Sequence, residues 1–152
     1  MSVQNPVATP AADAASAAFA PLFGLGEPND GFAQYFSGQS FLNSLTDPQV
    51  TQFIANVTFE PGCRNNWHIH HASTGGGQIL LCTDGRGWYQ EWGKEAQPLT
   101  PGTVVFIPAD VKHWHGAARD SWMSHVAFEA PGTDCSNEWL EPVSDEDYNA
   151  LA

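Results

Sequence analysis

Residues 61–85 read PGCRNNWHIHHASTGGGQILLCTDG, and this stretch decides the fold. Its centre is Trp67-His68-Ile69-His70-His71, followed at a distance by Gln78. Side chains of an extended strand alternate faces with period 2, so His68 and His70 point one way while Ile69 and His71 point the other. Two imidazoles on one face make half a metal site. The other half lies downstream in PADVKHWH, Pro108 to His115, where His113 and His115 again share a face.

Working outward, the composition is that of a β protein. A chain of 152 residues with 14 Gly, 11 Pro and an aromatic-rich, Lys/Arg-poor makeup favours short strands and many turns over helices. At this length a single domain can close its own hydrophobic core. Upstream of the histidines, Gln34 to Leu45 and Val50 to Glu60 read as two strands joined at Thr46-Asp47-Pro48. Downstream, Gln78 to Thr83 reads as a buried strand. Asp84-Gly85 is a hairpin signal that returns Gly87 to Trp92 antiparallel. Thr103 to Ile107 reads as a core strand, His113 to Ala117 as a short one, and Ser121 to Glu129 as the last. Strands at this spacing, with Gly and Pro between them, make a sandwich or small barrel. Residues 1–31 form an N-terminal arm whose Ala-rich run, Ala8 to Ala20, reads as a short helix or a flexible stretch. The barrel spans 32–131. Beyond Pro131-Gly132 the chain is expected to leave it as an acidic tail, 132–152, with one short helix begun at Ser144-Asp-Glu-Asp.

Charge and cysteine content exclude whole classes of function. Seventeen acidic residues against five basic ones give a formal charge of -12. The chain therefore lacks the positive face that nucleic acid or an anionic membrane requires. Six acids fall between Asp134 and Asp147 with no base among them, which reads as a solvated tail. Cys63, Cys82 and Cys135 form no C-x-x-C pair, so a reducing, cytoplasmic setting is expected. The Ala-rich run lacks a basic leader, and no apolar stretch approaches the ~18 residues needed to span a bilayer.

Beside the histidines stand several residues with two readings each. His125 alternates with Met123 and Ala127 on an inward strand face. His71 and His125, taken singly, read as hydrogen-bonded structural residues. Trp88, Trp92, Trp114, Trp122, Tyr89 and Phe59 are core or the wall of an aromatic pocket. Cys82 shares a face with Gln78 and reads first as a small buried hydrophobe. Arg64 reads as a surface-loop residue, or else as a holder of a substrate carboxylate.

The pattern Gly62, five residues, His68-x-His70, a loop, Gln78, six residues, Gly85 resembles the first motif of the cupin superfamily. Gly102, five residues, Pro108-x-Asp110, two residues, His113 is similar to its second. The resemblance covers about residues 50–130. It implies an all-β double-stranded β-helix, or jelly-roll barrel, with one divalent metal held by His68, His70, Gln78 and His113. Three departures stand out: a longer Ser73–Gly77 loop with Gln78 in place of the usual Glu, Asp110 in place of Gly, and Ala117 in place of Asn. A set of three imidazoles and an amide is neutral, so the ion keeps its full double charge and polarises a bound oxygen more strongly. This favours Lewis-acid chemistry over the oxygen activation of two-His-one-carboxylate iron sites. Manganese or iron is preferred; nickel and zinc also suit such donors.

More narrowly, the chain looks like the small single-domain bacterial cupins with a Gln ligand. Members of that group are found beside or fused to carboxymuconolactone decarboxylase-like proteins, and some are manganese-dependent hydroxynitrile lyases. The matching runs are Asn56-Val-Thr-Phe-Glu-Pro-Gly62, Gly85-x-Gly-Trp88, Lys112-His-Trp-His-Gly-Ala117 and Ser124-His125. The resemblance implies lyase or related proton-transfer chemistry on a small hydroxy or carbonyl compound, with His125 or His115 moving the proton. An iron dioxygenase and a non-catalytic small-molecule binder are the alternatives. It further implies a homodimer, with Gln34 to Leu45 as the edge or exchanged strand.

Overall fold

A computed structural model describes residues 19–151, so the Ala-rich run up to residue 18 lies outside it. Strand is the predominant regular structure of the described chain, and the strands pair antiparallel in two main sheets. The first sheet has the order β1 (Glu27–Pro28), β3 (Ser40–Ser44), β4 (Ala55–Phe59), β13 (Met123–Glu129), β8 (Gln78–Gly85), β11 (Val104–Ile107). The second runs β10 (Gln97–Leu99), β9 (Gly87–Glu91), β12 (His113–Ala117), β5 (Arg64–Asn65), β2 (Phe36–Ser37). On this second sheet β6 (His68–His71) pairs with β12 and with β15 (Ser136–Trp139). A small third sheet joins β7 (Thr74–Gly75) to β14 (Gly132–Thr133).

Both main sheets contribute to one core of Phe59, Leu80, Cys82, Met123 and Ala127 against Tyr89, Leu99 and Ala117. A second cluster forms on the outer side of β12, where Trp114 meets Trp67, Val143 and Tyr148. The short helix α1 (Asp145–Asn149) supplies Tyr148, and Ser144 caps it by accepting from the Asp147 amide, as its sequence predicts. Covered on both faces, β12 is buried along its whole length.

Several sequence expectations are corrected by long-range pairing. Asp84-Gly85 is no hairpin: β8 pairs with β13 and β11, whereas β9 pairs with β12 and β10. The chain crosses from one sheet to the other here. Gly85 makes the corner possible, with φ +71 and only 1.8 Å between a built Cβ and the Trp122 carbonyl oxygen. Thr103 to Ile107 is not a core strand but the sheet edge. Val104 and Phe106 are 66% and 57% exposed, and only Ile107 is fully buried. Gln34-Tyr35 belongs to a 3-10 helix, Asp30–Tyr35, and residues 50–54 form a loop before β4. Of the expected edge strand Gln34 to Leu45, β3 is interior, paired with β1 and β4.

Nor does the chain leave the barrel after Gly132. Residues 132–139 add β14 and then β15, which pairs with β6 residue by residue. The acids there take partners: Glu138 bonds His71, Glu141 pairs with Lys112, and Asp145 with Arg64. Upstream, residues 19–31 lie against the barrel as well. Phe19 stacks on Trp122, and the side-chain amides of Asn43 and Asn56 donate to the Phe23 and Gly24 carbonyls. Among the described residues no helix is long and apolar enough to cross a membrane.

Candidate active site

Four strands deliver the site. β6 and β12 are antiparallel neighbours with His113 opposite His68, so the period of two turns His68, His70, His113 and His115 toward the same interior. One ring nitrogen from each of His68, His70 and His113 falls in a group within 4.8 Å, a set that could hold a metal ion. Gln78 arrives from the start of β8, with Oε1 3.1 Å from His70 Nε2 and 3.4 Å from His113 Nε2. The four expected ligands are therefore brought together. The Gly-rich loop between β6 and β8 bridges the added length, which is why Gln78 reaches the site despite its distance from His70 in sequence.

The donor set fits a cation. His68 Nδ1 lies 2.8 Å from the Asn66 carbonyl oxygen and His113 Nδ1 2.9 Å from that of Val111. A carbonyl only accepts, so both rings carry their hydrogen at Nδ1 and turn a bare Nε2 inward. Burial and neighbouring histidines hold His68 well below its ordinary pKa, and burial brings His113 down to about 4. Two unprotonated nitrogens thus converge with an amide oxygen, which accepts as well. With its hydrogen at Nδ1, His113 turns a bare Nε2 toward Gln78 Oε1 at 3.4 Å, two acceptors face to face, and a metal ion between them would satisfy both.

Beside this group lies a second histidine pair. The His125 Nε2 to His115 Nδ1 distance is 2.9 Å, and both rings are buried. A β-bulge in β13 between Ser124 and His125 shifts the register against β8 and sets His125 opposite Cys82. Asn65 Oδ1 accepts from the His115 backbone amide at 2.9 Å, and its amide nitrogen lies 3.3 Å from the ring nitrogens. Burial lowers both histidines, His125 to about 4, so the pair is neutral at pH 7. His125 Nδ1 is buried and has no hydrogen-bond partner among the described residues.

Both groups border a cavity of about 260 Å³, whose wall includes Phe32, Phe36, Phe53, Phe128 and Trp139. None of these was singled out in the sequence. Of the aromatic candidates there, Trp114 is core, Trp92 is 58% exposed, Trp122 stacks on Phe19, and Phe59 lies behind the cavity against His115 and His125. Trp139 of β15 stacks on Tyr35 and lies 4.6 Å from the His68 ring, centroid to centroid. Asn137, also on β15, reaches His70 Nδ1 at 2.8 Å. The run SNEW carries no apolar alternation, so no local signal marked it.

His71 points outward as read, between Asp110 and Glu138 at 3.0 and 2.9 Å, and these carboxylates raise its pKa. Cys82 is core, its thiol pushed up to about 11 by burial. Arg64 is neither on the surface nor at the cavity. It is buried, donating to the Val143 carbonyl and to Asp145, with its guanidinium over the Tyr148 ring. No Lys or Arg lines the cavity.

Residues 55–126 match the cupin-domain family Cupin_2. The chain is 39% identical over 120 residues to an (R)-mandelonitrile lyase of Granulicella tundricola, covering 78% of this chain and 88% of that one. It is 36% identical to a cupin-like protein of Thermotoga maritima, covering 86% of this chain and 96% of that one with a TM-score of 0.73. A cupin 2 conserved barrel domain protein of Rhodopseudomonas palustris, 18% identical, covers 82% of this chain and 81% of its own with a TM-score of 0.59, and so shares the fold.

Proposed function

Since this chain belongs to the cupin family, we propose that it is a metal-dependent lyase that splits a small, neutral hydroxynitrile into a carbonyl compound and hydrogen cyanide. The observation that carries this reading is the juxtaposition of a converging set of three histidines and Gln78 with a neutral His115–His125 pair on one largely apolar cavity. The (R)-mandelonitrile lyase relative points to the same reaction class. His68, His70, His113 and Gln78 would hold a divalent ion, manganese in our reading, which supplies positive charge to a substrate oxygen and makes its proton more acidic.

The chain's own residues do the rest. His125, which lines the cavity, is neutral at pH 7, and its Nδ1, without a hydrogen-bond partner among the described residues, takes the hydroxyl proton of the substrate. The C–O pair of electrons then closes the carbonyl, the C–CN bond breaks, and the leaving cyanide receives that proton. Hydroxynitrile goes to carbonyl plus hydrogen cyanide with every atom accounted for. His115 fixes the His125 ring through the 2.9 Å contact and is itself fixed by Asn65. The wall of Phe32, Phe36, Phe53, Phe128 and Trp139 keeps water out and accepts an apolar or aromatic substituent. No Lys or Arg lines the cavity, so a substrate carboxylate would meet no such side chain there.

Elemental analysis of purified wild type and His113→Ala, followed by chelation, reloading and a mandelonitrile cleavage assay, tests the proposal. One metal per chain in wild type alone, with oxygen-independent cleavage restored by manganese and lost in His125→Gln, supports it. Iron with oxygen uptake would replace it with a dioxygenase. Metal binding without turnover would leave a small-molecule binder. Wild type that takes up no metal would remove the site itself.

A further inference from the structure

The ligand His70 differs from His68 and His113 in what stands at its outer nitrogen. Their Nδ1 atoms face carbonyl oxygens, whereas His70 Nδ1 faces the side-chain amide of Asn137. The end of that amide lying 2.8 Å from His70 Nδ1 is also 2.9 Å from Glu129 Oε1 and 3.3 Å from the Ser136 carbonyl oxygen. A carboxylate and a carbonyl only accept, so this end is the amide nitrogen, donating to Glu129 and to His70. An imidazole that accepts at Nδ1 carries its hydrogen at Nε2, and His70 Nε2 has its acceptor in Gln78 Oε1 at 3.1 Å. His70 is then in a tautomer that offers no lone pair to a metal. The other two histidines are already in theirs.

We infer that Asn137 is a positioning residue that sets whether His70 can ligate. Turning the amide end for end puts its oxygen beside Nδ1, which draws the imidazole hydrogen from Nε2 to Nδ1 and frees Nε2. The turn moves this hydrogen from one ring nitrogen to the other and adds none. Glu129 opposes the turn, since its carboxylate holds the nitrogen in place. β15 thus has a task at the site: its pairing with β6 sets Asn137 directly opposite His70. This inference rests on the metal site proposed above, and on no step of the lyase reaction.

The test uses metal-stripped full chain, nitrogen-15 NMR of labelled histidine, and zinc titrated against a chromophoric chelator, zinc being diamagnetic. In wild type, His70 is expected as the Nε2–H tautomer without metal and Nδ1–H with zinc. Asn137→Asp, which only accepts, shows Nδ1–H before metal is added and keeps zinc affinity. Asn137→Leu removes that acceptor, leaving only Glu129 Oε1 at 3.5 Å from Nδ1, and binds zinc about tenfold more weakly, the low end for loss of a residue supporting a ligand. A metal-free wild type already in the Nδ1–H form overturns the inference. Equal zinc affinity in all three proteins overturns it while leaving the metal site standing, and a wild type that binds no zinc overturns both.

Discussion

The neutral histidine pair makes the protein acid-labile in a way that can be worked out. His125 is fully buried, and its folded-state pKa of about 4 compares with about 6.5 for an exposed histidine. The folded state therefore binds fewer protons than the unfolded chain between these values. Its contribution is present above pH 6.5 and is lost as pH falls toward 4. Near pH 5 the difference approaches one proton, a slope of about 1 kcal/mol per pH unit, and from pH 7 to 4.5 it sums to about 2–3 kcal/mol. His125→Gln removes the titrating ring while keeping an amide donor for His115. Urea unfolding followed by tryptophan fluorescence, on chelated protein at several pH values from 4.5 to 7, measures both slopes. His68 and His113, also held low by burial, titrate alike in both proteins and cancel, and His115 stays lowered by its own burial. The variant's stability should decline with acid less steeply than wild type by about 1 kcal/mol per pH unit near pH 5. Equal slopes would mean that His125 is charged or solvated in the fold, and would refute both its buried neutrality and its use as a base.

Gly85→Ala should destabilise by about 3 kcal/mol or more, because a Cβ there meets the Trp122 carbonyl oxygen at 1.8 Å on a left-handed backbone; a denaturation midpoint close to wild type would contradict this. The Arg64–Asp145 ion pair places a buried guanidinium against a carboxylate that is 88% exposed, so the two partners are unequal. Asp145→Asn should change stability by less than about 1 kcal/mol, whereas Arg64→Ala, which abandons the Val143 carbonyl and the Tyr148 ring, should cost about 3 kcal/mol. Parallel unfolding curves of the two variants decide it, equal losses being the contrary result. His71, raised by Glu138 and then Asp110, contributes stability that is full below the unfolded histidine value and fades as pH rises through its folded one. His71→Gln should therefore flatten the decline of melting temperature above pH 6.5, and an unchanged profile would show the exposed contacts to be screened.

How much of the site was legible follows from how far each signal reaches. His68, His70 and His113 were readable because a strand's period is local: spacing alone states which residues share a face. Gln78 was readable through its place in a motif, although an oxygen ligand after a Gly-rich loop has no periodic signature. His115 and His125 were legible as inward histidines, but their direct contact at 2.9 Å depends on a bulge that no local pattern announces. Asn137, Trp139 and Glu129 were not legible as site residues. The run SNEW is polar and becomes strand because β6 has a free edge, and its companion Glu129 ends a strand that otherwise reads as core.

The sequence by itself determined the fold class and which histidines share a face. Histidines at period-two spacing specified one inward side of a strand, the excess of acid argued against polyanionic partners, and strands broken by Gly and Pro pointed to a β barrel. The tertiary structure alone decided which strands pair, and with that the walls of the cavity. A strand's faces are set by bonds within it, but its neighbours are chosen by burial and hydrogen bonding summed over the whole chain. Asp84-Gly85 looks like a hairpin over a few residues. It becomes a corner between sheets because β8 gains a neighbour on each side, the buried β13 and the edge strand β11, one of which a hairpin with β9 would displace.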